Sequence, residues 1–176
     1  TKLLVQSTDA GIIDKSQSSS QVQLEGNTKS STTQTKYLSS SIYVDGNGDR
    51  VSVYATDSEL TFGTGDFTIE GWIYQTVRNT GSTALFVNSY RNSNDYEGAM
   101  MGIYNNGSIY TLSSNVGNGS AWTSLISGSI EISLNTWTHV ALSRQGNSLR
   151  TFVNGTLDQT TTYSGNVANA NNSIHF

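Results

Sequence analysis

The run WTHVALSRQGNSLRTFVNGTLDQTTTY, residues 137–163, constrains the fold of this chain more than any other stretch. Asn154-Gly155 stands between two alternating segments. Both central residues of a type I′ turn need positive φ, which Asn and Gly adopt at least cost, so the pair predicts a two-residue hairpin loop. That loop pairs Val153 with Thr156 and Phe152 with Leu157, which puts Phe152 and Leu157 on one face. Upstream, Gln145-Gly146-Asn147 predicts a second turn. The three predicted strands are residues 137–144, 148–153 and 156–163.

The remainder of the chain has the same texture. Short runs rich in β-branched and aromatic residues predict strands at 2–6, 22–25, 67–75, 84–90, 122–126 and 129–133. Residues 98–104 and 108–113 form a predicted hairpin around Asn106-Gly107. Residues 37–45 and 50–54 form another around Gly46-Asn47-Gly48. Residues 57–60 could make one helical turn, and 173–176 start a strand. No segment holds an apolar 3.6-residue period over three turns, and no internal repeat is present. Strands with turns every few residues predict an all-β sandwich. Residues 1–36 read as short strands and polar loops that close the end of that sandwich, because Leu3, Leu4, Val5, Ile12, Ile13, Val22 and Leu24 need burial. The whole of 1–176 reads as one domain.

Composition sets the exclusions. Only 12% of the 176 residues are charged, and Ser, Thr, Asn and Gly fill the polar surface. A length of 176 residues suffices for a sizeable core. There is no Cys, which removes disulfides, thiolate metal sites and a Cys nucleophile. The net charge of −4 argues against a nucleic-acid surface. No apolar run is long enough to span a membrane. The chain starts at Thr1 and stops at Phe176 inside a predicted strand, so it reads as a segment of a longer polypeptide.

Three motifs carry a family resemblance. SIYVDGNGD (41–49) resembles the "YFDGSGDYL" opening of laminin-G-like, concanavalin A-like jelly-roll domains. DFTIEGWI (66–73) resembles their "DFTIEFWV" strand. WTHVALSR (137–144) followed by FVNG (152–155) resembles their "WHHVAxxRdgxxxxxYvNG" signature. The N-terminal TKLLVQS resembles the lead-in of copies in phage and bacterial surface proteins. The resemblance implies a two-sheet antiparallel jelly-roll sandwich. It also implies a module that binds glycans or proteins, or that acts as a spacer in surface and virion proteins. Fold alone does not choose among these. The family closes with a "GxIDEVRI"-like strand, and this chain ends before it.

Several residues are candidates for chemistry. Asp45, Asn47 and Asp49 place oxygen-bearing side chains at i, i+2 and i+4, like the first half of a calcium loop. The second half is missing, since Arg50 follows Asp49 and no Glu stands at the twelfth position. The competing reading is a Gly-rich turn whose carboxylates accept backbone N–H bonds. Trp72 and Trp137 lie in signature strands and are expected in the core. Trp122 follows a Gly/Asn loop and is the surface candidate. Sugars stack their C–H faces on aromatic rings while polar groups read the hydroxyls. Tyr90, Arg91, Asn94, Asp95 and Tyr96 supply that mixture in one loop, and Trp122 borders a second. Two solvated loops are the competing reading.

Catalysis is not expected. Hydrolases of this fold use paired carboxylates on one strand. Two and five residues beyond Glu70 stand Trp72 and Gln75, and Glu131 is isolated. His139 is expected to be structural. Asn106, Asn118, Asn154 and Asn171 lie in Asn-x-Ser/Thr sequons, most of them explained by turn chemistry. The function expected is a non-catalytic recognition module on a cell surface or virion, with edge loops that bind a glycan. The alternative is a decoration or spacer domain of a phage capsid, tail or adhesin, with other protein subunits as partners.

Overall fold

A computed structural model of the chain describes residues 1–54, 60–78, 81–88, 96–105, 107–168 and 173–176. Every regular element among them is a β-strand, and the strand pairings are antiparallel. The chain forms two compact units. One comprises Thr1–Leu60 with Asn171–Phe176, and the other Thr61–Ala170.

The first unit holds β1 (Val5–Thr8), β2 (Gly11–Asp14), β3 (Gln21–Glu25), β4 (Lys29–Ser31), β5 (Ser41–Tyr43) and β6 (Arg50–Tyr54). Its last strand is β15 (Ser173–His175), which pairs with β6 on the side away from β3. Val51 and Val53 of β6 and Ile12 form the buried core of this unit, with Leu3, Val5, Val22, Ile42 and Phe176 packed against them. The polar stretches read as loops contain two further strands. Ile12-Ile13 belongs to β2, and Lys29–Ser31 pairs with β5. The expected hairpin around Gly46-Asn47-Gly48 is corrected: β5 pairs with β4, whereas β6 pairs with β3 and β15. The short β5 finds its partner upstream, and residues 44–49 are a connection rather than a hairpin loop. The helical turn expected at 57–60 falls mostly outside the described residues.

The second unit holds β7 (Phe67–Tyr74), β8 (Ser82–Asn88), β9 (Ala99–Asn105), β10 (Tyr110–Gly117), β11 (Trp122–Glu131), β12 (Trp137–Gln145), β13 (Ser148–Val153) and β14 (Thr156–Thr162). One sheet runs β11-β10-β9-β8 and the other β14-β13-β12-β7. Strands β10 and β11 lie against β13 and β14, as in a sandwich. The Asn154-Gly155 turn has both residues at positive φ, 51° and 77°. The predicted pairs Val153–Thr156 and Phe152–Leu157 are formed. The two strands expected at 122–126 and 129–133 are one strand, β11, with irregular register against β10. The β14 residue Asp158, at the register shift opposite Thr151–Phe152, reaches β11, where its Oδ1 accepts the N–H groups of Ser129 and Ile130. A Cβ on Gly128 would meet the Asp158 carboxylate and the Leu112 carbonyl, so glycine is required there.

Alternation along β12 decides which residues face the core. Thr138, Val140, Leu142 and Arg144 are buried, opposite Val153, Thr151 and Leu149 of β13, which are also buried. Trp137, His139 and Ala141 therefore point the other way, together with Glu70, Trp72 and Tyr74 of β7. This corrects the expectation that Trp72 and Trp137 lie in the core. Trp72 is 38% exposed and Trp137 is half-buried. The aliphatic residues already fill the inner face, and a one-residue slip is forbidden because it would expose all of them.

Candidate binding surfaces

The loop surface gathers around Gly117, the last residue of β10. Gly117 stands opposite Trp122. A Cβ on Gly117 would lie 2.3 Å from the Tyr96 carbonyl oxygen, so only glycine lets the Tyr96–Glu97 backbone cross here. The crossing is tied by hydrogen bonds. Gly119 N–H donates to the Tyr96 carbonyl at 2.6 Å, Gly117 N–H to Gly98 at 2.8 Å, and Gly98 N–H to Ala168 at 2.9 Å. Asn118 Oδ1 accepts the N–H groups of Ser120 and Ala121, which closes the turn before Trp122. The outcome is an edge-on pair of Tyr96 and Trp122, with ring centroids 6.5 Å apart at 84°. Both residues are half-buried.

Two polar atoms are buried at this crossing without a hydrogen-bond partner, Glu97 Oε2 and Asn115 Oδ1. Asn115 lies two residues before Gly117, on the same face of β10 as Trp122 on β11. Neither atom was expected from sequence. The signal was the Gly117-Asn118-Gly119 triplet, since glycine in or beside a strand marks a close approach of another backbone. Of the other expected ligand residues, Tyr90, Arg91, Asn94 and Asp95 lie outside the described residues. Tyr96 and Trp122, expected from two separate loops, are brought together.

The Asp45–Asp49 segment is organised as a turn. Asp45 Oδ1 accepts the Asn47 N–H at 2.8 Å, and Asp45 Oδ2 accepts the Asn27 side-chain amide at 3.2 Å. Asp49 accepts the backbone N–H groups of Asn27 and Asp45. The Asn47 N–H, and then the Asn27 amide, hold the Asp45 carboxyl below the usual carboxylate range. All four carboxylate oxygens thus serve the backbone and Asn27. Among the described residues no group of three His, Asp or Glu side chains is placed to hold a metal ion. The donor set fits a turn, and it does not offer a cation free carboxylate oxygens.

Several acids elsewhere have partners of their own. Glu70 Oε2 lies 3.4 Å from His139 Nε2. Glu131 pairs with Arg78 at 2.8 Å. Asp14 is pushed up by burial, but the N–H groups of Ser16, Leu4 and Ser20 outweigh this and leave its carboxyl below its ordinary value. In the first unit, Ser52 Oγ lies 2.7 Å from Glu25 Oε1 and 2.9 Å from His175 Nδ1. The hydrogen bonds of Arg50 and then Ser52 hold Glu25 down to about 2. Burial, with Arg50 adding to it, lowers the His175 pKa, and Glu25 opposes the shift. Ser, His and Glu are the residue types of a hydrolase triad, but here Ser52 stands in the middle. A triad places His between the nucleophile and the acid. With its hydroxyl proton given to Glu25, a fully buried Ser52 has no free proton for a base to take.

Arg144, the Arg of the third motif, has a structural task. It is 3% exposed. Its Nε donates to the Gly146 carbonyl at 3.0 Å, Nη1 to Gly63 at 3.1 Å and Nη2 to Tyr163 at 3.4 Å. Three loops are thereby fastened to one guanidinium.

Together these features describe an all-β jelly-roll sandwich that presents aromatic rings at a loop edge and on a sheet face. A family model described as the concanavalin A-like lectin/glucanases superfamily matches residues 45–176, and the chain belongs to that family. Solved structures share the fold. The binding domain of botulinum neurotoxin serotype D superposes with a TM-score of 0.71 at 14% identity, over 98% of this chain and 42% of that one. Domain 4 of AbnA, a GH43 extracellular arabinanase from Geobacillus stearothermophilus in complex with arabinotriose, superposes with a TM-score of 0.67 at 15% identity, over 99% of this chain and 82% of that one. This chain thus spans under half the length of the neurotoxin domain it matches. No curated protein matches the chain in sequence. No helix among the described residues is long and apolar enough to cross a membrane.

Proposed function

We propose that the chain is a non-catalytic module of an extracellular surface or virion protein, and that it binds a glycan at the loop edge. One observation carries this reading: the edge-on pair of half-buried rings, Tyr96 and Trp122, at the loop edge. Sugar rings offer apolar C–H faces to such aromatics. Tyr90, Arg91, Asn94 and Asp95, which precede Tyr96 in the sequence, are further candidate contacts. The fold accommodates a saccharide elsewhere, since the arabinanase domain is described with arabinotriose bound. On the Glu70 strand, the neighbouring positions of the same face are Thr68 and Trp72, and the acid's partner is His139, so a hydrolytic carboxylate pair is absent from that strand. Calcium has no part in this reading.

A glycan array with the native chain, Tyr96→Ala and Trp122→Ala tests it. The expected outcome is a defined set of bound glycans and a loss of about tenfold in affinity in each variant. Native binding that both variants retain would remove the edge from the site. If instead no glycan binds and copurified subunits bury well over about 1,000 Å² against the chain, the module is a structural decoration.

A further inference from the structure

The outer face of the β14-β13-β12-β7 sheet carries rings in two adjacent rows. On β7 and β12 two cross-strand ring pairs follow one another. Trp72 faces His139, with centroids 5.2 Å apart, and Tyr74 faces Trp137 at 5.4 Å, both tilted by 56°. The rows are two residues apart, about 7 Å along the strands. The next row places Glu70 opposite Ala141, and its carboxylate turns back to His139 Nε2. Trp72 is 38% exposed, and the Glu70 side chain is 61% exposed. The platform is rigid at its centre, because Asn154 Oδ1 accepts the His139 N–H at 2.9 Å and Asn154 N–H donates to the His139 carbonyl at 2.8 Å.

We propose that this face is a second carbohydrate surface, on which Trp72 stacks against a sugar ring of a neutral polysaccharide while Glu70 and His139 bind its hydroxyl groups. The proposal rests on the reading that the chain binds glycans, but it places a contact on the sheet face rather than in the loops. Two observations select this occupant. The exposed part of the Trp72 ring is on the order of 100 Å², a footprint that suits one sugar ring. The charged side chains of the face are Glu70 and Arg150, of opposite sign, so no net charge calls for an ionic partner. A carboxylate and an imidazole held 3.4 Å apart beside an exposed indole supply acceptor and donor together at the ring's edge.

Affinity electrophoresis in gels containing xylan, linear arabinan, galactomannan or β-glucan tests this, with the native chain, Trp72→Ala, Glu70→Gln and Trp122→Ala. Retardation of the native chain by at least one polymer is expected, with about tenfold weaker binding in Trp72→Ala and a smaller loss in Glu70→Gln. Because Trp72→Ala could disturb the sheet, the second readout is indole fluorescence in Trp122→Phe, which the same polymer should quench and which should be quenched less in the double variant Trp72→Phe/Trp122→Phe. Binding lost in Trp122→Ala but unchanged in Trp72→Ala and Glu70→Gln overturns the sheet-face site and leaves the loop edge standing. The reverse pattern supports the sheet face and removes the loop edge. No retardation of the native chain by any polymer overturns both. A dimer in sedimentation that Trp72→Ala dissolves also overturns the proposal, because the face would then be a self-interface.

Discussion

Strand β12 has two sides that divide its residues by shape rather than by hydrophobicity. The inner side carries Thr138, Val140, Leu142 and Arg144, each no more than 3% exposed. The outer side carries Trp137 and His139, ringed by Trp72 and Tyr74. An arginine is inside and two tryptophans are outside. The inner side closes because aliphatic residues and threonine of β13 mesh with it, and because three carbonyls satisfy the guanidinium. The outer side is graded: Ala141 is 5% exposed, Trp137 and His139 are half-buried, and Trp72 is 38% exposed. A ring on a rigid strand loses little freedom on binding, which favours it as a recognition surface.

Stability measurements can break or sharpen this contrast. In urea or thermal unfolding, Leu142→Ala should cost about 3 kcal/mol through the cavity it leaves. Arg144→Met should cost about 2 kcal/mol, since the carbonyls of Gly63, Gly146 and Tyr163 lose a charged donor. Trp72→Ala should cost about 2 kcal/mol, less than a core tryptophan would, because more than a third of the residue already lies in water and its loss leaves no closed cavity. If Trp72→Ala proves as costly as Leu142→Ala, the outer face is core and the contrast fails.

A smaller effect concerns the titratable groups of the first unit. His175 has its folded pKa below the ordinary 6.5, so its contribution is complete above 6.5 and is lost as pH falls through the folded value. Glu25 follows, with stability present above its ordinary 4.5 and lost as pH falls toward about 2. The lowered carboxyls of Asp14 and Asp45 share that acid window. The melting temperature should therefore decline below pH 6.5, and more steeply below pH 4.5. His175→Gln should flatten the upper part. Equal slopes in both proteins between those pH values would mean that the Ser52–His175 contact adds nothing.

What could be read in the sequence followed from local rules. The Asn154-Gly155 turn fixed a register that the structure reproduces pair for pair, and three motifs placed the family. Strands inside polar stretches were missed because Lys29–Ser31 has no apolar alternation and is held by its pairing with β5. Membership of the signature strands predicts Trp72 and Trp137 in the core, whereas alternation from the turn decides the face. Applied to β12, that count already sets Trp137 opposite in sense to Val140 and Leu142. The loop edge was half legible: Tyr96 and Trp122 were candidates, but only the crossing over Gly117 joins them. The acceptors of Glu97 and Asn115 depend on contacts between distant segments, which no local pattern encodes.

The most direct test of the central claim, that the exposed rings are the binding surface, is a titration of the three indole N–H signals by two-dimensional NMR. Each bound polysaccharide should move the signals of Trp122 and Trp72 while the amide of Leu142 stays still. Binding that moves neither indole would contradict the account.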